Sequence, residues 1–215
     1  SIRRQRQMCI RDRPGIKSLK DLKGKKVGTE LGIVDHLLLL DGLEKAGMKE
    51  SDVTLVNVKI NDTPQALASG DLAAVGTFEP SASQALKLVP GSKPIYTSAK
   101  SPGLIYDVLT VSPSSLSSRK EEWKKLTAIW SKVVAYINDP KTQADAVKIM
   151  SARDGLTPAE YKKFMNGTRL LTVAEGKAAY VKADGLKSLW GSTKNADNFN
   201  VKNAIYKEPQ DISLY

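Results

Sequence analysis

A chain of 215 residues is long enough for one or two domains around a sizeable buried core. With 41% hydrophobic and 26% charged residues it is neither disordered, collagenous nor disulfide-stapled, and no apolar run approaches the roughly 20 residues of a membrane-spanning helix. The net charge of +10 is no signature of a nucleic-acid reader: five of the eight arginines crowd into residues 1–13, and taking these and Asp12 away leaves +6, on dispersed lysines with only 6% aromatic residues.

Residues 1–13 have no amphipathic period, no helix cap and no apolar stretch of the kind a signal peptide carries. They read as a non-native tail, the translation of a sequencing adapter. The only cysteine, Cys9, lies there, so residues 14–215 are cysteine-free. That argues against thiol catalysis and structural zinc, and it suits a bacterial protein exported to an oxidising compartment.

From Pro14 to about Ile95 strand and helix alternate. Residues 25–30 predict a short strand. Residues 33–46 predict a helix with Ile33, Leu37, Leu40 and Leu43 on one face, closed by Gly47. Residues 53–58 alternate as a strand. Thr63 is the expected cap and Pro64 the first turn of a helix that ends at Ser69-Gly70. A strand over 72–77, a helix over 79–88 and a strand over 93–97 complete the pattern, which implies right-handed crossovers and a mainly parallel sheet covered on both faces.

Beyond Gly103 one more strand is expected, over 106–112, followed almost entirely by helix. Residues 121–138 set Trp123, Leu126, Trp130, Val133 and Ile137 on one stripe. Asp139-Pro140 breaks it, a second helix covers 141–150, and capping boxes at Thr157 and Thr172 start helices running to about 165 and 182. One strand cannot cover four helices, so a packing partner for them is expected elsewhere in the protein. The unpacked stripe at Trp123, Trp130 and Ile137 predicts aggregation or local disorder.

No phosphate-binding glycine loop, zinc-protease motif or nucleophile elbow is present. Ser117-Ser118-Arg119-Lys120 matches a serine–lysine pattern but reads as the turn before a charged helix. With His36 as the single histidine, no multi-histidine metal site can form. What remains are helix starts at the carboxyl ends of parallel strands, the edge where open α/β sheets bind ligands. Gly32, Ile33, Val34 and Asp35 could present backbone N–H groups to an anion at one start, and Thr77, Phe78, Glu79 and Pro80 repeat the geometry at the next. Tight turns without ligand are the plain alternative at both. Likewise, Asp71 and Glu79 read as helix caps or solvent-facing groups rather than as an acid–base pair.

Ser18-Leu19-Lys20-Asp21-Leu22-Lys23-Gly24-Lys25-Lys26-Val27-Gly28, Gly32-Ile33-Val34-Asp35-His36, Ala66-Leu67-Ala68-Ser69-Gly70-Asp71-Leu72 and Gly76-Thr77-Phe78-Glu79-Pro80 follow in order. Pro102-Gly103-Leu104-Ile105-Tyr106-Asp107-Val108 and Asn166-Gly167-Thr168 come after them. This series resembles the solute-binding proteins of ABC transporters of the nitrate, sulfonate and taurine type, with the related thiamine-precursor receptors. The resemblance implies an α/β, type II periplasmic-binding-protein-like two-lobe fold with one lobe incomplete. Residues 14–103 would form the second lobe and 104–215 the returning, mostly helical half of the first. The opening half, roughly 100 residues on domain-size grounds, would lie upstream.

The same resemblance implies an extracytoplasmic receptor, periplasmic or lipid-anchored, without enzymatic activity or cofactor. It would act as a monomer with the membrane subunits of an ABC importer and without nucleic acid. A small anion such as a sulfonate or nitrate, or a related metabolite, would sit between the lobes. It places Gly32, Ile33, Val34, Asp35 and His36, with Thr77, Phe78, Glu79 and Pro80, on the cleft wall, and Tyr106 and Asp107 near the hinge. Two departures stand out: Ile33 replaces a frequent small hydroxyl residue, and Ser81 stands where members carry a tryptophan. The alternatives are the ligand-sensing domain of a LysR-type regulator and an enzyme on the same fold, a pyrimidine-precursor synthase.

Overall fold

The computed structural model describes residues 6–10, by their backbone, together with 16–165 and 167–212. Five strands form one sheet: β1 (Arg6–Ile10), β2 (Lys26–Thr29), β3 (Thr54–Asn57), β4 (Ala74–Phe78) and β5 (Lys93–Thr97), in the order β3-β2-β4-β1-β5. β2 runs parallel to both β3 and β4, as the alternating pattern implies. β1 enters antiparallel between β4 and β5, pairing Ile10 with Ala74 on one side and with Lys93 on the other. The sequence reading assigned no element there, because five residues without alternation carry no period to detect. Residues 1–5 and 11–13 of the same segment lie outside the described residues, as does Asn166.

Helices α1 (Val34–Lys45), α2 (Thr63–Ser69) and α3 (Ser81–Leu88) follow β2, β3 and β4 in turn. Neighbouring residues of a strand face opposite ways, and β4 shows it. Ala74 packs with Val27, Leu38, Leu39 and Leu43 on the α1 side, while Val75 packs with Leu67, Ala82 and Ala85 on the α2–α3 side. Both faces are therefore buried. The buried face of α1 is wider than the expected stripe: Leu38, Leu39 and Gly42 are buried with Leu37 and Leu43, whereas Leu40 and Ile33 are half-buried. Thr63 is the first residue of α2 rather than its cap, a position held by Asp62. Pro80 takes the cap position of α3, after a cis Glu79–Pro80 bond.

Residues 106–112 form no strand. A strand needs a neighbour's unpaired edge, and among the described residues none lies alongside; Val108 and Leu109 stay exposed. The helices beyond are α4 (Pro113–Ser118), α5 (Lys120–Asn138), α6 (Gln143–Arg153), α7 (Pro158–Met165), α8 (Val173–Ala179) and α9 (Leu189–Lys202). On α5 only Val134 and Ile137 are buried. Leu126, Ile129, Trp130 and Val133 are exposed, while Trp123 is half-buried with Nε1 donating to Ser115 Oγ at 3.1 Å. The expected stripe thus divides: Ile137 is covered, Trp123 partly so, and Trp130 is not. Helix α9, unforeseen in a stretch rich in Asn, Ser and Gly, is capped by Ser188 Oγ, which accepts from Trp190 N at 3.2 Å. Its Phe199 joins the α1-side core beside Leu104.

Candidate functional site

β2 and β4 are adjacent parallel strands, so their carboxyl ends deliver the β2–α1 and β4–α3 turns to the same sheet edge. Beneath these turns lies a polar floor. Thr29, Asp35, Thr63 and Thr77 are all buried. Thr63 Oγ1 donates to the Ile60 carbonyl at 2.7 Å and therefore accepts from Thr77 Oγ1 at 2.8 Å. Thr29 Oγ1 lies 3.5 Å from Asp35 Oδ2. Gly76 admits this cluster, since a Cβ there would lie 2.9 Å from Thr29 Oγ1.

The β2–α1 turn is stitched to the loop before α2. Leu31 N donates to Asn57 Oδ1 at 3.1 Å, and Ile60 N donates to Glu30 Oε2 at 3.0 Å. Gly32 N donates to His36 Nδ1 at 3.2 Å. His36 is buried, its ring edge-on to Phe199 with centroids 5.2 Å apart. Because Nδ1 accepts, the neutral ring carries its proton on Nε2, which faces Glu50 Oε1 at 3.7 Å. Burial holds the His36 pKa below the usual imidazole value, with the Glu50 carboxylate opposing that shift. His36 therefore acts on the turn through Gly32 rather than standing at its surface.

The two helix starts differ in what already occupies them. At α3, Glu79 is buried and its carboxylate accepts from Ser83 N and Ser83 Oγ, each at 3.0 Å. The positive end of α3 thus holds an anion of its own. At α1 the acidic residue of the first turn is Asp35, buried beside Thr29, while Gly32, Ile33 and Val34 are half-buried around the start. Phe78 is half-buried and Pro80 exposed at the neighbouring turn.

Tyr106 lies elsewhere. Its hydroxyl donates to the carbonyls of Leu186 and Lys187 at 3.2 and 3.1 Å, tying the segment after Gly103 to the loop before α9; Asp107 is exposed. A second polar cluster braces the opposite end of α1. Tyr96 OH donates to Asp41 Oδ2 at 2.6 Å, Ser101 Oγ reaches the same oxygen, and Lys45 Nζ lies 3.3 Å from it. Among the described residues no group of three or more His, Cys, Asp or Glu could hold a metal ion.

Sequence reading missed Thr29, Thr63, Glu30 and Asn57, and the Phe199 that covers His36. The threonines were detectable as polar residues ending apolar strands or starting a helix. Phe199 left no local signal, since its neighbour is far along the chain.

Residues 3–88 match the family model described as "NMT1/THI5 like". A provisionally named binding protein of Brucella abortus (strain 2308) is 39% identical over 77 residues, which is 36% of this chain and 24% of that protein. The chain thus spans about a quarter of the length of the curated relatives it matches. The crystal structure of the periplasmic aliphatic sulphonate binding protein SsuA from Escherichia coli superposes with a TM-score of 0.72 at 19% identity, covering 98% of this chain and 68% of that one. The desulfurization enzyme DSZB superposes with a TM-score of 0.67 at 15% identity, over 99% and 73% of the two chains. The resemblance read from the sequence is borne out, and the fold is the α/β fold of the periplasmic binding proteins.

Proposed function

We propose that this chain is part of the extracytoplasmic substrate-binding receptor of an ABC importer, and that its ligand is a small anion such as a sulfonate or nitrate, or a related small metabolite. The observation that carries the reading is the meeting of the β2–α1 and β4–α3 turns at one carboxyl edge of the sheet, where Gly32, Ile33 and Val34 stay half-buried while the acidic groups of the two starts, Asp35 and Glu79, are buried beneath. Ile33 and Val34 would hold the ligand by their N–H groups, with Gly32 shaping the turn through its bond to His36, and Phe78 and Pro80 would line the adjoining wall. Asp35, Thr77, Glu79 and His36 would set the shape of the two turns from beneath. Tyr106 and Asp107 would belong to the hinge between residues 14–103, the second lobe, and 104–215, the returning half of the first. Hinge closure onto ligand would then be read by the transporter's membrane subunits, with the receptor as a monomer.

Relatives named as binding proteins favour this reading. The regulator alternative draws no support from them. DSZB shares the fold at an identity that speaks to fold alone, and the serine–lysine pattern at 117–120 falls at the junction of α4 and α5, away from the sheet edge.

Equilibrium dialysis against labelled ethanesulfonate, taurine and nitrate tests the proposal. One ligand is expected to be retained per chain, chemically unchanged, and Ile33→Asp is expected to abolish retention by placing a carboxylate at the amides. Turnover of the ligand, or equal retention by Ile33→Asp, would overturn it.

A further inference from the structure

The chain after α9 returns to the β2–α1 turn. Helix α9 ends with Ala204 N donating to the Val201 carbonyl at 3.1 Å and Ile205 N to the Asn200 carbonyl at 2.9 Å. That is the paired bonding of a Schellman cap, with Ala204 at the left-handed position, φ +55°. The apolar residue after such a cap ordinarily packs on its own helix. Here Ile205 packs elsewhere: its Cδ1 lies against Gly32, in the space a side chain at that position would occupy, with Cγ1 3.4 Å from the same point. A latch holds the strap that follows. Asp197, buried on α9, accepts from Tyr206 OH at 2.6 Å and from Gln210 N at 3.0 Å, and Asn200 Nδ2 donates to the same hydroxyl at 3.2 Å.

We propose that residues 203–210 form a latched strap whose Ile205 gates the β2–α1 turn. The inference rests on the reading of that turn as the ligand's seat and adds how access to it is controlled. From one side Ile205 covers Gly32; from the other His36 Nδ1 engages the Gly32 N–H, and Phe199 of the strap's own helix packs on the His36 ring. Strap and turn are therefore mechanically joined through α9. A ligand that takes the turn amides must move Ile205 aside, and half of that side chain already faces solvent, so the outward path is open.

Hydrogen exchange resolved by peptide tests the contact without any ligand. Asp197→Ala, and Tyr206→Phe as a milder variant that leaves no cavity, are expected to speed exchange about tenfold in residues 203–210 and in 30–35 together. Faster exchange confined to 203–210 would overturn the gate. With ethanesulfonate as probe, Ile205→Ala is expected to lower Kd about tenfold by removing the competing closed state; an unchanged Kd would overturn the gate. Coupled release with no ethanesulfonate, taurine or nitrate bound by any variant would uphold the strap and overturn the anion reading beneath it, so the two fail separately.

Discussion

Gly103 precedes the segment that Tyr106 ties to the loop before α9 and can be weighed against a second glycine of the same backbone conformation. Both Gly103 and Gly47 are left-handed, at φ +86° and +73°. An added Cβ at Gly47 would meet nothing within 4 Å, whereas at Gly103 it would fall on the Leu186 carbonyl oxygen and 2.7 Å from its carbon. Gly47→Ala therefore reports backbone strain alone, about 1–2 kcal/mol less roughly 0.5 for the stiffer unfolded chain. Gly103→Ala carries the same term plus a backbone collision, which costs about 1–3 kcal/mol more. The difference between the two variants isolates the packing of Gly103 on the loop before α9. Urea unfolding should show Gly47→Ala destabilised by about 1 kcal/mol and Gly103→Ala by about 3, a further fall in Tm of roughly 4–8 °C at this chain length. Equal midpoints would mean that Leu186 does not press on Gly103, and the tie of this segment to the loop before α9 would fall with it.

Three further outcomes follow from the polar groups. His36 is the chain's single histidine, so an NMR titration reads it without overlap. Its folded pKa lies below 6.5 because of burial, so its share of stability is present above that value and lost as pH falls toward the folded pKa. Glu50→Gln removes the opposing carboxylate and is expected to lower the pKa further; an unchanged titration would refute the pairing. Glu175 has its pKa lowered from 4.5 to about 2 by the Thr172 N–H, with Arg169 and the Thr172 hydroxyl adding to the effect. Its contribution is present above pH 4.5 and lost on acidification toward 2, so hydrogen exchange over α8 should accelerate in that window for the wild type and not for Glu175→Gln. Tyr96→Phe removes a bond to an ionised carboxylate and should cost about 1.5–3 kcal/mol in urea unfolding; no change would show that Asp41 is satisfied by Ser101 and Lys45 alone.

The strand–helix alternation of residues 16–97 was legible because each element there obeys one local rule. The strand that begins at Ala74-Val75 buries both faces, Gly47 and Gly70 close helices in left-handed turns, and β5 falls on the residues expected. What escaped was what depends on partners distant in the chain. Residues 106–112 have strand-forming side chains, but among the described residues no strand lies alongside them. Helix α9 has poor intrinsic propensity and stands on its Ser188 cap and the burial of Phe199. The site divides in the same way. Gly32 and Glu79 were visible as turn residues at strand ends, whereas the inward role of Thr77, tied to Thr63, and the covering of Gly32 by Ile205 come from tertiary placement.

The antiparallel strand β1 has a consequence for how the sheet assembles. Among the described residues β5 has β1 as its one neighbour in the sheet, so residues 6–10 are the hydrogen-bonded link between β5 and the other three strands. Joining Ile10 to Lys93 closes a loop that contains every other strand, and the entropy of that closure is met only when the slot beside β4 is ready. The β2–β3 and β2–β4 pairs close shorter loops and can form first. β5 is thus a latecomer to the fold, and until it docks both its edges stand open to pairing with another chain, where the finished sheet leaves it one.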